Sequence, residues 1–259
     1  MNKIHPTAII SKEAEIGKDV EIGPYVVIEG KVKISNGCKI GPYVHLQGYT
    51  EIGENTKIFT GAVIGSIPQD LKYKGGVTYL KIGKNNIIRE FVTINPGTFE
   101  GEETVIGDNN LLMAYSHIAH NCKIGNNVII ANYGGLAGHV IIEDFAVIGG
   151  FVGIHQFCRI GKHSMIGGCS KVTMDIIPYI TADGHPARPY GVNVIGLKRR
   201  NFTKEKIEIL HLAYKIIFKS GLNTEEALKK LEELNSYEEI RDIIQFIKTS
   251  ERGIARERE

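Results

Sequence analysis

The sequence predicts a parallel β-helix built of hexapeptides, followed by a small α-helical domain. Two observations predict the β-helix: an aliphatic residue at every sixth position, and a small or β-branched residue four places after each. A third, the change to helical spacing after about residue 200, predicts the second domain. Stepping by six from Ile4 to Val172 visits 29 positions, and 26 of them are Ile, Leu or Val. These types fill about a quarter of a typical chain, so chance does not produce the series. In a hexapeptide solenoid each repeat supplies one short strand and one turn, and three repeats close one triangular coil. Successive coils then stack at about 4.8 Å, the spacing of paired strands.

The small column runs through Ala8, Ala14, Val20, Val26, Val32, Cys38, Val44, Thr50, Thr56 and Ala62. It shares the interior with the aliphatic column. A glycine often follows the aliphatic residue, as at Gly17, Gly23, Gly41, Gly53, Gly107 and Gly125. There we expect a tight turn of unusual dihedral angles. Asp70, Gly76 and Glu100 break the aliphatic series. The segments around them, about 66–81 and 95–105, are expected to leave the prism as loops. Insertions in solenoids tend to gather on one face, often the binding face.

The period stops near Pro178, and Gly184 to Gly191 reads as a connection. Thr203–Ser220 then carries apolar residues at helical spacing, with Gly221 as a stop. Asn223 and Ser236, each followed three residues later by Glu, read as helix N-caps. About three helices are expected, covering the end or side of the prism. The domains are therefore drawn at 1–187 for the β-helix and 188–259 for the helical part.

A net charge of +2 gives no basic field for nucleic acid. No run of about 18 apolar residues predicts a transmembrane segment. Met1 to Pro6 shows no signal-peptide core, so a cytoplasmic location is expected. Cys38, Cys122 and Cys158 fall in the small inward column and are read as packing residues. Cys122 and Cys158 share a column two coils apart, about 9.6 Å by strand spacing, which is too far for a disulfide.

Over residues 106–172 the series is unbroken, so residue n is expected beside n+18. This sets Ala119, Ala137 and His155 in one column, His120, Gly138 and Gln156 in the next, and Asn121, His139 and Phe157 in a third. His117 lies just before them. A neutral imidazole is the usual general base near neutral pH. A backbone N–H at Gly138, with no side chain in the way, can donate to an oxyanion. The two together suffice to move an acyl group onto a hydroxyl or amine. Zinc ligation by histidines on neighbouring coils is the competing reading. The hexapeptide carbonic anhydrases ligate zinc that way, but the spacing differs here and a third ligand is lacking, so no metal is expected.

The segments His117-Ile118-Ala119-His120, Leu136-Ala137-Gly138-His139, His155-Gln156-Phe157-Cys158 and Gly191-Val192-Asn193, with Gly196-Leu197-Lys198-Arg199-Arg200, together resemble the UDP-N-acetylglucosamine O-acyltransferase family of lipid A synthesis. Ile4 to Ala8 and the loop Pro68 to Tyr73 match as well, so the resemblance spans essentially the whole chain. It implies a left-handed parallel β-helix and a homotrimer with active sites in the clefts between prisms. It also implies transfer of an (R)-3-hydroxyacyl chain from acyl carrier protein to the 3-position of UDP-N-acetylglucosamine. The donor is then a phosphopantetheine thioester, and no separate cofactor is expected. His120 would be the general base, Gly138 the oxyanion donor and Asn121 the residue orienting the imidazole. Gln69, Asp70, Lys72, His117 and His139 would hold the sugar and the acyl donor. His155, Gln156, Asn193, Arg199 and Arg200 would hold the nucleotide, and Gly168 would line the acyl groove.

The chain departs from the family pattern at several points. Asn121 stands where Asp is common, and an amide orients an imidazole without adding charge. Ile195 replaces a common acidic residue, Pro186 a common His, and Gly134-Gly135 is unusual. The alternatives are the same transfer to a 3-amino sugar, giving an amide, or a different hexapeptide enzyme: an acetyl-CoA-dependent acetyltransferase or a zinc carbonic anhydrase. The sister N-acyltransferase carries an added N-terminal domain, whereas here the repeat begins at Ile4. An ice-binding solenoid would show a flat face of Thr rather than two loops and a histidine cluster.

Overall fold

A computed structural model describes residues 1–256. The chain winds as a left-handed parallel β-helix with three flat faces. The first face has 11 strands and begins with Lys3–Ile4. The second has 9 and begins with Ile9–Ile10, and the third has 8 and begins with Glu15–Ile16. Most strands are two residues long, one pointing out and one pointing in. The inward residues are the aliphatic series, and Ile28, Ile52, Ile88, Leu112, Ile118 and Ile148 are all within 1% of full burial. Burying each such side chain contributes about 1.5–3 kcal/mol. The small column is interior too, and Val20, Val44, Cys38, Cys122 and Cys158 are wholly buried.

Lys3 pairs with Glu21 and His117 with Gly135, so a regular coil is 18 residues. Tyr79 pairs with Tyr49, 30 positions earlier, and Glu103 pairs with Tyr79, 24 positions earlier. The two excursions therefore insert 12 and 6 residues into their coils. Both insertions are whole hexapeptides, which is why the aliphatic series keeps its phase across them. Their C-terminal ends are strand rather than loop, because Tyr79–Ile82 and Glu103–Ile106 pair with Tyr49–Ile52 and with each other on the third face. Each excursion leaves a second-face strand and enters a third-face strand, so both emerge from the same corner.

The glycines after the aliphatic residue have a different cause from the one expected. Apart from Gly65 and Gly48-type turn positions, those in the column (Gly17, Gly23, Gly41, Gly53, Gly83, Gly107, Gly125) do not have positive φ. They are needed because the next coil is too close: a Cβ at Gly53 would lie 2.5 Å from the Gly83 carbonyl carbon. The left-handed conformation falls two residues later, mostly on non-glycine residues. One corner uses asparagine there (Asn55, Asn85, Asn109, Asn127), which tolerates it well. The corner between the first and second faces uses aromatic residues. Phe91, Tyr115, Tyr133 and Phe151 stack ring on ring at 4.7–5.1 Å. Stacking of this kind offsets a backbone cost of about 1–2 kcal/mol per residue.

The connection after Pro178 is not irregular. Strands Ile180–Gly184 and Ala187–Val192 form an antiparallel hairpin that extends the first face. The β-part thus runs to Val192, and the boundary drawn at 187/188 falls inside the hairpin. Among the described residues four helices follow: α1 (Val194–Arg199), α2 (Lys204–Phe218), α3 (Thr224–Glu232) and α4 (Glu238–Lys248). The short α1 was not expected from spacing. Asn223 closes a capping box on α3 as anticipated. Ser236 caps nothing, because α4 starts after Tyr237 and has no side-chain cap. Glu239 is buried instead and pairs with Lys206 of α2 at 2.5 Å. α4 lies against the last coils, where Arg159 sits over the Phe246 ring at 4.3 Å. Among the described residues no helix is long and apolar enough to cross a membrane. Residues 257–259 of the expected helical domain lie outside those described.

Candidate active site

The corner that releases both excursions also carries the histidines. After the second-face strand His117–Ile118 the chain turns through Ala119, His120 and Asn121 to the third face. One coil on, Ala137, Gly138 and His139 occupy the same turn, and then His155, Gln156 and Phe157. The stacking is direct: the His139 N–H donates to the His120 carbonyl at 3.0 Å, and the Phe157 N–H to that of Gly138 at 3.2 Å. The first excursion folds over this corner. Together they enclose a cavity of about 790 Å³ lined by Gln69, Asp70, Lys72, His117, His120, Gly138, His155 and Gln156. Gly135 and Gly153 leave its floor on the second face without side chains, and a Cβ at either would enter open space.

His120 is 7% exposed, and the orientation of its ring is determined by its neighbours. Its Nδ1 lies 2.9 Å from Asn121 Oδ1. That oxygen also accepts from the Thr98 N–H at 3.1 Å, while Asn121 Nδ2 donates to Glu102 Oε2 at 2.8 Å. A backbone N–H only donates and a carboxylate only accepts, so the amide cannot be turned over. The oxygen must face the histidine, and Nδ1 must carry the proton. Nε2 is left with a free lone pair, the form a general base requires. It faces Asp70 Oδ2 at 3.5 Å. The Lys72 N–H, followed by nearby His120 and the Lys72 ammonium, holds the Asp70 carboxyl below its ordinary value despite partial burial. An anionic Asp70 is well placed to stabilise an imidazolium as it forms.

Gly138 lies under that imidazole. A Cβ there would fall inside contact distance of His120 Cε1 and Nε2. Among the described residues its N–H has no hydrogen-bond partner in the chain. His117 Nδ1 is 2.7 Å from Thr93 Oγ1. Burial, then the neighbouring His120, holds both His117 and His139 below the usual imidazole range. His139 stacks on Phe157 at 4.7 Å and stands edge-on to His120 at 5.3 Å, flanking the cavity rather than lining it. Cys122 is no rival nucleophile, since burial pushes its thiol up to about 12.

Four expected site residues lie elsewhere on the same chain. Gly168 is in a turn between the first and second faces. Asn193 is the N-cap of α1: its side chain accepts from the Gly196 N–H and donates to the His163 carbonyl. Arg199 ends that helix exposed, and the Arg200 guanidinium lies 4.4 Å over the Phe145 ring. These last three belong to the corner between the third and first faces, one edge away from His120. Column arithmetic placed the histidines but missed Thr93, Thr98 and Glu102, which hold them. Thr98 and Glu102 belong to the second excursion, where an 18-residue ruler has no meaning.

Comparison with known proteins agrees with this fold. Residues 175–255 match the second-domain model of UDP-N-acetylglucosamine O-acyltransferase, and residues 31–66 and 103–138 match the bacterial transferase hexapeptide model. The acyl-[acyl-carrier-protein]–UDP-N-acetylglucosamine O-acyltransferase of Thermodesulfovibrio yellowstonii is 54% identical over 99% of this chain and 100% of its own. That of Paraburkholderia phymatum is 50% identical with the same coverage. Among solved structures, the UDP-N-acetylglucosamine acyltransferase of Bacteroides fragilis is 49% identical with a TM-score of 0.95, covering 98% of this chain and 100% of that one. The Moraxella catarrhalis O-acyltransferase is 42% identical, also at 0.95, covering 98% and 99%. Full-length identity of this order, on the same fold, means that the chain belongs to the UDP-N-acetylglucosamine O-acyltransferase family.

Proposed function

We propose that the chain transfers an (R)-3-hydroxyacyl group from the phosphopantetheine thioester of acyl carrier protein to the 3-hydroxyl of UDP-N-acetylglucosamine, opening lipid A synthesis. The observation that carries the mechanism is the placing of His120: Asn121 Oδ1 holds its Nδ1, and its Nε2 lies directly above Gly138 in the cavity. His120 Nε2 takes the proton of the sugar hydroxyl as its oxygen attacks the thioester carbonyl. The Gly138 N–H donates to the oxyanion that forms. The carbon–sulfur bond then breaks, and the imidazolium returns the proton to the leaving thiolate. No nucleophilic Ser or Cys is used, and no cofactor beyond the donor's own arm. Gln69, Asp70, Lys72 and His117 hold the sugar and acyl end, with His139 flanking them, while His155 and Gln156 reach towards the nucleotide. A carrier-protein donor puts the reaction in the cytoplasm.

The reading needs a homotrimer. Gly168, Asn193, Arg199 and Arg200 lie one edge away from His120, so a second prism must bring them to its cavity. The half-exposed aromatic ladder Phe91, Tyr115, Tyr133 and Phe151 supports assembly, since contiguous apolar edges of this kind mark interfaces. His120→Ala should cut turnover on the order of a thousandfold while leaving the trimer intact. Mixing His120→Ala with Arg199→Ala subunits should restore about a quarter of the sites, because a cleft drawing each residue from a different protomer can be fully wild type. No recovery in the mixture, with heterotrimers present, would contradict the shared site; full turnover by His120→Ala would contradict the base.

A further inference from the structure

We propose that Glu102 is a positioning residue for the general base: it acts through Asn121 and supplies the negative charge that Asn121 itself lacks. This rests on His120 being the base. The chain of contacts is continuous. Glu102 Oε2 accepts from Asn121 Nδ2 at 2.8 Å, and Asn121 Oδ1 lies 2.9 Å from His120 Nδ1. The same carboxylate oxygen accepts from the Phe99 N–H at 3.0 Å, so Glu102 is anchored to its own excursion. The Asn121 N–H donates to Thr104 Oγ1 at 2.8 Å, which holds the other end of the residue.

Two consequences follow from the chemistry. First, Glu102 locks the amide, since turning it over would set Oδ1 against the carboxylate and Nδ2 against the Thr98 N–H. The lock keeps the His120 proton on Nδ1 and the lone pair on Nε2. Second, an anion pulling on the amide N–H draws electron density onto Oδ1, and linked hydrogen bonds strengthen one another in this way. The oxygen then stabilises the imidazolium more than an isolated amide would. Glu102 is able to do this because it is ionised: burial pushes its carboxyl up, but the Phe99 N–H, the Asn121 amide and nearby His139 outweigh that and hold it below its ordinary value. The second excursion thus has a task beyond shaping the cavity wall, because it delivers a carboxylate to the back of the base.

Glu102→Gln is the cleanest test, since it keeps an acceptor oxygen for Phe99 and Asn121 while removing the charge. The other charged or titratable groups around His120 are Asp70, Lys72, His117 and His139, and all remain. We expect kcat to fall about tenfold with KM for the sugar nucleotide nearly unchanged. The acid limb of the kcat profile should move to lower pH, because losing a nearby anion makes the imidazolium less stable. Glu102→Ala should lose more, and adding Asn121→Asp to it should restore most of the rate by placing a carboxylate directly on Nδ1. Titration of the His120 ring by NMR reads the relay without turnover: the ring should titrate lower in Glu102→Gln than in the wild type. Should the wild-type chain fail to acylate the nucleotide, that titration still decides the relay separately. An unmoved His120 titration, or wild-type kcat with an unmoved acid limb, or no rescue by Asn121→Asp, would overturn it.

Discussion

At the scale of single residues, the site works because His120 and Gly138 occupy adjacent coils of one column. The glycine is needed for what sits above it. Gly138→Ala would press a methyl group into the imidazole, and the ring rather than the backbone would have to move. A displacement near 1 Å costs about a hundredfold in rate, so kcat should fall by at least that much while the melting temperature stays near wild type. Steady-state kinetics beside a thermal melt checks this, and wild-type kcat would contradict it. This pairing was legible in the sequence, because between residues 106 and 172 every eighteenth residue is a spatial neighbour. Glu102 and Thr98 were not legible, because they come from an inserted segment whose path is set by contacts and not by a repeat. Asn121 read alone as a loss of charge; only the structure shows a carboxylate one amide away.

At the scale of elements, the corners divide the labour. One carries the catalytic turns, one a stacked aromatic edge, and the third seats the helical domain. In that third corner His163 stacks between Phe145 at 4.7 Å and Tyr179 at 5.6 Å, with Phe202 edge-on. Burial, then the Arg200 and Lys162 charges, holds its imidazole down at about 4, against the weaker opposing pull of Asp144 and Asp242. The ordinary value is 6.5, so as pH falls from 6.5 to about 4 the unfolded chain gains a proton that the folded chain excludes. Stability is therefore lost across that window and is complete above it. His163→Phe keeps the stack at a position where other corners already accept Phe, and it should flatten this part of the melting-temperature profile. A profile as steep as wild type between pH 6.5 and 4 would contradict the assignment. The strands were legible from period and the capping box of α3 from its Asn and Glu. The hairpin and α1 were not, because Pro186, Pro189 and the glycines around them look like punctuation until sheet pairing is seen.

At the scale of the whole molecule, the solenoid is a ruler with two measured interruptions. Inserting 12 and then 6 residues leaves every later coil in phase and raises two loops over one corner. Of the residues expected at the nucleotide, His155 and Gln156 share the cavity with the base, while Asn193, Arg199 and Arg200 sit an edge away, because they follow the hairpin at the corner between the third and first faces. The most direct measurement is to incubate the purified chain with an (R)-3-hydroxyacyl carrier protein and UDP-N-acetylglucosamine, with the 3-amino analogue in parallel, and to read the acylated nucleotide by mass spectrometry. The expected product is UDP-N-acetylglucosamine carrying one added hydroxyacyl group in ester linkage, formed faster than the amide from the analogue. No acylated nucleotide from the folded protein, or product from the amino sugar alone, would contradict it.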